Sequence, residues 1–165
     1  MRDKGVTRDI AREILPIPDR PYAGPTMYDM KDPDAGYEPI EPVRPPAGAP
    51  NILLVLLDDV GFGASSAFGG PCRTPVFEIL AAGGLRYTRF HTTGMCSPTR
   101  QAMLTGRNHH SVGMGTVSDM ATSAPGYTSK RPNTAATIAE ILRLNGYSTA
   151  QFGKRHEIPS WEWSP

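Results

Sequence analysis

The stretch of sequence that decides the fold is Asn51 to Gly63, NILLVLLDDVGFG. In its first part, NILLVLL, an uninterrupted apolar run follows Asn51, which is typical of a strand buried on both faces of a parallel sheet. The run ends in two adjacent carboxylates, Asp58 and Asp59, and a glycine-containing loop follows them. Because ligands in open α/β sheets bind beyond the carboxyl ends of the strands, this loop is a candidate site.

The segments after this loop alternate between helix and strand patterns. TPVFEILAAGG predicts a helix that is capped by Thr74, has Pro75 at its first position and stops at Gly83. Further helices are predicted at 98–105 and 133–146, and further strands at 85–90 and 147–153. This order predicts an α/β fold with a mostly parallel sheet flanked by helices.

The first 50 residues differ in composition from the rest. Prolines recur every few residues from Pro16 to Pro50. Proline removes backbone donors and pushes the residue before it toward extended geometry, so neither a packed helix nor a central strand is expected here. The sequence therefore predicts a proline-rich arm over residues 1–50 and an α/β domain from residue 51 onward.

The composition excludes several classes of function. Lysine and arginine number 17 against 16 acidic residues, and this balance gives no electrostatic case for binding nucleic acid or an anionic membrane. No stretch approaches the ~20 apolar residues of a membrane span. The N-terminus lacks the apolar run of a secretory signal, so we expect a cytoplasmic protein.

Asp58 and Cys96 are the first two candidates for chemistry. The Asp58-Asp59 pair offers hard oxygen ligands that suit Ca²⁺ or Mg²⁺, although aspartates at such a position also simply turn the chain. Cys96 precedes a predicted helix, where free N–H groups and the helix dipole favour an anion or a thiolate. A buried, purely structural Cys96 and a disulfide with Cys72 are the alternatives.

Three cationic or ionisable side chains complete the set. Arg100 lies one turn after Cys96 and offers a fork of donors to an oxyanion. Lys154 and His156 follow a predicted strand, and their spacing places both on one side of an extended segment. His109 and His110 are adjacent and point to opposite faces, so we expect them at the surface or behind the site. The pattern indicates a metal-assisted oxyanion site.

Three motifs in this order resemble the type I sulfatases of the alkaline-phosphatase-like superfamily. They are NILLVLLDDVGFG, the CSPTRQAMLTGR run that begins at Cys96, and Gly-Lys-x-His at 153–156. The resemblance covers Asn51 to His156 and implies an alkaline-phosphatase-like fold, incomplete in this chain, that hydrolyses sulfate monoesters, with aryl sulfates expected. A phosphate or phosphonate ester hydrolase of the same superfamily is the alternative, since tetrahedral oxyanions present similar oxygens to such a site.

The resemblance also implies a modification of Cys96. In such sulfatases a formylglycine-generating enzyme reads Cys-x-Pro-x-Arg in the unfolded chain and oxidises the cysteine to formylglycine (3-oxoalanine), so Pro98 and Arg100 would be recognition residues. The hydrated aldehyde is a geminal diol. One hydroxyl attacks sulfur and the second expels sulfate, which divides one displacement into two easier steps.

The other roles follow from the same resemblance. Asp58, Asp59 and the modified Cys96 would hold a divalent cation, with Ca²⁺ expected and Mg²⁺ as the alternative. Arg100 would steady the diol. Lys154 would hold the sulfate group, and His156 would hydrogen-bond the diol and help take the proton of its second hydroxyl.

Two features depart from the family pattern. Arg155 stands where many members carry tryptophan. Members are usually longer and bring an Asp-Asn metal pair, a histidine and a lysine from downstream. We therefore expect residues 51–165 to be the N-terminal part of a sulfatase catalytic domain, and the isolated 165-residue chain to lack turnover. The alternative to this interpretation is an inactive fragment, or a binding module that has lost catalysis.

Overall fold

The chain divides into two compact units. The computed structural model describes residues 12–19, 24–33 and 42–159. One unit comprises residues 1–50 and 136–152, and the other comprises 51–135 and 153–165. Residues 136–152 belong to the first unit, and the proline-rich arm and the catalytic domain from residue 51 stay a prediction.

Three α-helices lie within the described ranges. They are α1, Pro75–Gly83; α2, Cys96–Thr105; and α3, Ile138–Leu144. Single turns of 3₁₀ helix occur at Ser66–Phe68, His110–Val112 and Ser118–Met120. None of the helices described is both long and apolar enough to cross a membrane.

Helix α1 begins and ends where the sequence predicts. Pro75 is its first residue, where the missing N–H would have had no partner in any case. Thr74 lies at the N-cap position but makes no side-chain capping bond. Its hydroxyl instead hydrogen-bonds the hydroxyls of Ser65 at 2.6 Å and Ser66 at 3.1 Å, so it ties α1 to the preceding turn.

Helix α2 begins two residues before the predicted start at Pro98. The first four N–H groups of a helix have no intrahelical partner, so a proline in the first turn leaves the helix intact and allows it to begin at Cys96. Gly106 ends the helix in the left-handed region, with a φ of 65° and its N–H bonded to the Ala102 carbonyl at 2.8 Å.

Helix α3 belongs to the first unit and is shorter than the predicted segment. The Thr137 hydroxyl accepts the Glu140 N–H at 3.1 Å and so fixes the start of the helix. In the same unit, the Arg12 guanidinium donates to the Asn145 carbonyl at 3.0 Å and to the Arg44 carbonyl at 2.7 Å. These bonds hold part of the arm against the end of α3.

The predicted parallel sheet is absent from the residues described. Segments 51–57, 85–90 and 147–153 form no strand, and the β-pairing within the described ranges is one isolated parallel bridge between Ser65 and Cys72. A strand is defined by hydrogen bonds to a neighbour, and these segments pair with none. The apolar run expected to be buried is therefore exposed; Leu53, for example, is 88% exposed.

The buried part of the second unit lies around the loop after α2. Val112 and Met114 are completely buried. The loop folds back on itself, and the Ser129 N–H donates to the Gly113 carbonyl at 2.8 Å. This closure gives the loop a fixed shape beside the start of α2.

Candidate active site

Three segments of the second unit meet at the start of α2. They are the loop with Asp58, the first turns of α2 with Cys96 and Arg100, and residues 154–156. The sequence predicts this convergence from the carboxyl ends of parallel strands. The convergence is present although the strands are not, so direct side-chain contacts hold the segments together here.

Asp58 lies between two cations. The Arg100 Nη2 atom is 3.1 Å from Asp58 Oδ1, and the Lys154 Nζ atom is 2.6 Å from Oδ2. The Arg100 Nη1 atom also donates to the Lys154 carbonyl at 3.1 Å. Arg100 is 7% exposed, so one buried guanidinium links α2 to both of the other segments.

These contacts shift the pKa values of Asp58 and Lys154 in opposite directions. The hydrogen bond from Lys154, followed by the one from Arg100, lowers the pKa of the Asp58 carboxyl. The hydrogen bond to Asp58 raises the pKa of the Lys154 ammonium, and the charge of Cys96 acts in the same direction. The side chains of Asp58 and Lys154 are 34% and 39% exposed, so solvent screens the pair and its effect on stability is modest.

Asp58→Asn is expected to remove a pH-dependent part of the stability. A lowered carboxyl pKa stabilises the fold above about pH 4, and this contribution is lost as the pH falls through the folded-state value. A raised ammonium pKa stabilises it below about pH 10, and this contribution is lost as the pH rises through the folded-state value. The difference in Tm between wild type and Asp58→Asn should therefore be largest between these limits.

Thermal unfolding at a series of pH values measures that difference. Glu78→Gln, which neutralises an exposed carboxylate on α1, is the matched control and should give a smaller difference. A Tm difference for Asp58→Asn that is unchanged between neutral and strongly acidic solution would contradict the ion pair.

His156 connects Cys96 to a second carboxylate. The Cys96 Sγ atom is 3.1 Å from His156 Nδ1, and His156 Nε2 is 3.0 Å from Asp119 Oδ2. The backbone N–H of His156 donates to Glu157 Oε2 at 2.7 Å. Sequence reasoning missed Asp119 and Glu157. Asp119 lies in a loop without a motif, 37 residues before His156, and no sequence signal pairs the two.

The described residues do not complete a cation site. They contain no group of three or more His, Cys, Asp or Glu side chains that could hold a metal ion. Both carboxylate oxygens of Asp58 already bind cationic side chains. Asp59 is exposed with a φ of 54° and does not join this hydrogen-bonded group. Two carboxylates fall short of the ~6–8 oxygen ligands of Ca²⁺.

The remaining cysteine and histidines lie apart from this group. Cys72 and Cys96 are both free, so the structure rejects the disulfide alternative. The rings of His109 and His110 lie with centroids 4.1 Å apart and are tilted by 44°, so the expectation that the two side chains point to opposite faces was wrong. His110 Nε2 is 3.1 Å from the Tyr127 hydroxyl, and His109 Nδ1 is 3.0 Å from the Met114 carbonyl. Both histidines therefore support the loop, in line with the expected surface or supporting role.

The Cys-x-Pro-x-Arg motif is largely buried in the folded chain. Ser97 is fully buried, Pro98 is below 2% exposure and Arg100 is 7% exposed. Cys96 itself is partly exposed. The motif's two predicted recognition residues are thus inaccessible, while the residue to be modified faces the hydrogen-bonded group.

Comparison with models of protein families shows which family the chain belongs to. The family model described as Sulfatase matches residues 50–164. The chain belongs to the sulfatase family. The match begins at the end of the proline-rich arm and includes all of the side chains gathered around Cys96.

Relatives from distant organisms share this region. The chain is 40% identical over 112 residues to human "Arylsulfatase A" and 33% identical over 109 residues to "Arylsulfatase" of Klebsiella aerogenes. It is 38% identical over 114 residues to an uncharacterized sulfatase of Schizosaccharomyces pombe. These alignments cover 67%, 65% and 65% of this chain, but only 21%, 24% and 21% of the three relatives. The chain thus spans less than a quarter of the length of each of these sulfatases.

Proposed function

We propose that the protein serves in the hydrolysis of sulfate monoesters, with aryl sulfates as the expected class, through a formylglycine made from Cys96. The observation that carries this proposal is the position of Cys96. It begins α2, its Sγ atom is 3.1 Å from His156 Nδ1, and Arg100 and Lys154 lie in the same group. Two of the relatives described above are named as arylsulfatases, which supports the choice of substrate class.

Each side chain of the group has a role that its contacts allow. A formylglycine at position 96 supplies a geminal diol, whose hydroxyls act as nucleophile and as the group that later expels sulfate. The Nδ1 atom of His156, already beside position 96, accepts a hydroxyl proton. Lys154 has three donors; one bonds Asp58 and a second interacts with Cys96, so the ammonium lies beside position 96 with a donor left for a sulfate oxygen.

Arg100 organises the group from within. Its guanidinium is planar, permanently charged and buried, and it bonds the Asp58 carboxylate and the Lys154 backbone together. It therefore fixes the distance between the carboxylate segment and the segment that carries Lys154 and His156. Its charge also favours an oxyanion beside the start of α2.

We further propose that Asp58, Asp59 and the modified residue at position 96 contribute oxygen ligands to a divalent cation, with Ca²⁺ expected and Mg²⁺ as the alternative. Carboxylate oxygens are the donors these hard ions prefer. The remaining ligands must come from outside the described residues. When bound, the ion would polarise the sulfate oxygens.

The fold of the complete catalytic unit is proposed to be alkaline-phosphatase-like, with segment 51–57 as one strand of a mostly parallel sheet. The support is chemical. Residues 52–57 are apolar without exception, and all of them are exposed. An apolar segment of this length is suited to burial between two layers of helices.

Mass spectrometry of the tryptic peptide Phe90–Arg100 tests the proposed function at the step on which it depends. The chain is produced together with a formylglycine-generating enzyme, the partner that the proposal requires. We expect Cys96 to lose its sulfur and gain an aldehyde oxygen, because Cys96, Pro98 and Arg100 form the complete motif.

Cys72 serves as the control within the same molecule. It is also a free thiol, but Cys-Arg-Thr-Pro-Val follows the motif at neither the proline nor the arginine position. Cys72 should remain a thiol, and Cys96 should remain one in Arg100→Ala. A wild-type Cys96 left unmodified beside a converted positive control would refute the nucleophile.

A further inference from the structure

We propose that Asp119 is a positioning residue, which holds the His156 ring so that its Nδ1 atom faces position 96 as a proton acceptor. This inference rests on the proposed function, because it concerns the residue that takes a proton from the modified Cys96. Asp119 contacts only the far side of the imidazole, at 3.0 Å from Nε2. It acts through His156 and not on the substrate.

The two nitrogens of the His156 ring have different partners. A neutral imidazole carries one proton, so one nitrogen donates and the other accepts. An ionised carboxylate is purely an acceptor, so Asp119 favours the tautomer with hydrogen on Nε2. The lone pair then lies on Nδ1, which faces Cys96 at 3.1 Å. The carboxylate thus places the basic nitrogen where the proposed chemistry needs it.

A hydrogen bond from the neighbouring residue holds Asp119 near the start of α2. The neighbouring Ser118 is 2% exposed, and its backbone N–H donates to the Ser97 hydroxyl at 3.3 Å. Ser97 is the residue after Cys96 and is itself fully buried. The turn that carries Asp119 is therefore attached to the same helix start that carries the nucleophile.

A different residue fixes the backbone of His156. The Glu157 carboxylate accepts the His156 backbone N–H at 2.7 Å, and the Glu157 carbonyl accepts a bond from the Gln101 side chain at 2.8 Å. Those bonds fix the backbone position of His156, but they determine neither the rotation of its ring nor its tautomer. The hydrogen bond to Asp119 fixes both the ring orientation and the tautomer.

One proton moves between position 96 and His156 in the step that releases sulfate. When the second hydroxyl expels sulfate, its O–H bond breaks and the proton moves to Nδ1, the C=O bond of the aldehyde forms, and the C–O bond to sulfate breaks with its electron pair leaving on sulfate. The Nε2 proton stays between His156 and Asp119. The imidazolium that results bears its positive charge beside the Asp119 carboxylate, which stabilises it. The Nδ1 proton then passes to solvent, and addition of water to the aldehyde restores the diol, so the residues end the cycle unchanged.

Nuclear magnetic resonance of the ¹⁵N-labelled chain tests this inference without any turnover. The chain has four histidines, and a His156→Gln spectrum identifies the signals of interest by their loss. At about pH 7.5, where an ordinary imidazole is largely neutral, the nitrogen shifts report which atom carries the proton. We expect Nε2–H in the wild type.

Asp119→Asn is the decisive variant. The asparagine amide can donate to Nε2, which favours hydrogen on Nδ1 instead, as in the corresponding change in serine proteases. We expect the tautomer ratio to change by about 10-fold. This is at the low end of what a hydrogen bond to a charged group gives, because the Asp119 side chain is 73% exposed. Asp119→Glu should restore the wild-type ratio, and Glu78→Gln should not change it.

The possible results separate the two proposals. Identical His156 shifts in wild type and Asp119→Asn would overturn the positioning role, because a merely structural or solvated aspartate leaves the tautomer unchanged. A shifted ratio that Asp119→Glu reverses supports it. Conversion of Cys96 to formylglycine is measured on the same samples and should not depend on Asp119. Failure of that conversion would count against the proposed function and would leave the tautomer result standing.

Discussion

A formylglycine-generating enzyme is expected to convert Cys96 in the folded chain at least about 100-fold more slowly than in a peptide of residues 90–107. In the folded chain Ser97, Pro98 and Arg100 are buried, so the enzyme must wait for α2 to open. When opening is fast, the rate of such a reaction follows the population of the open form. Opening that costs a few of the ~5–15 kcal/mol of a typical domain reduces that population by at least about 100-fold.

The comparison is made by mass spectrometry of the Phe90–Arg100 fragment over time. The peptide and the purified, unmodified chain are supplied at equal concentration, and both contain the same motif. Production together with the enzyme, in which the chain is met before it folds, gives the upper limit of conversion. Equal rates for the folded chain and the peptide would contradict the burial of Pro98 and Arg100.

The sequence predicts the relative positions of residues within each motif, because those residues are close neighbours along the chain. Cys96 and Arg100 are four residues apart on one helix, and Lys154 and His156 are two apart, so short motifs set their relative positions. The contact of His156 with Asp119 depends on how the loop after α2 folds back. That depends on glycines and buried residues that carry no catalytic pattern, and the sequence alone does not predict it.

The helices were easier to predict than the strands for the same reason, since helix ends depend on residues that are close in sequence. Pro75 and Gly106 mark helix ends through local geometry, so α1 was predicted correctly and α2 differs only by two residues at its start. A strand, in contrast, requires a partner that is distant in sequence. The apolar pattern of 51–57 shows what such a strand would bury, but not which segment would pair with it, and the described residues contain no such neighbour.

Gly113→Ala is expected to destabilise the second unit by about 2–4 kcal/mol, the largest effect on stability that we predict for one added methyl group. Gly113 has a φ of 79°, which costs an L-residue about 1 kcal/mol or more. A Cβ atom there would also lie 2.4 Å from the Lys130 backbone carbonyl oxygen. Since that oxygen belongs to the backbone and cannot rotate away, the loop segments around Gly113 and Lys130 must move apart.

Gly106→Ala is the matched control for Gly113→Ala. Gly106 also has a positive φ, 65°, but a Cβ atom there would have no other atom within 4 Å. Its substitution should cost only the backbone term, about 1 kcal/mol. Urea unfolding of the two variants therefore separates backbone strain from overlap with Lys130. Equal losses in both variants would show that the loop accommodates the methyl group.

The position of Gly113 links this stability effect to the site. Its carbonyl accepts the Ser129 N–H at 2.8 Å, and that bond closes the loop from which Asp119 reaches His156. If Gly113→Ala opens the loop, the His156 tautomer ratio should move toward that of Asp119→Asn although Asp119 is unchanged. Gly106→Ala should leave the ratio as in the wild type, because the strain it adds lies at the end of α2 and not in the loop closure.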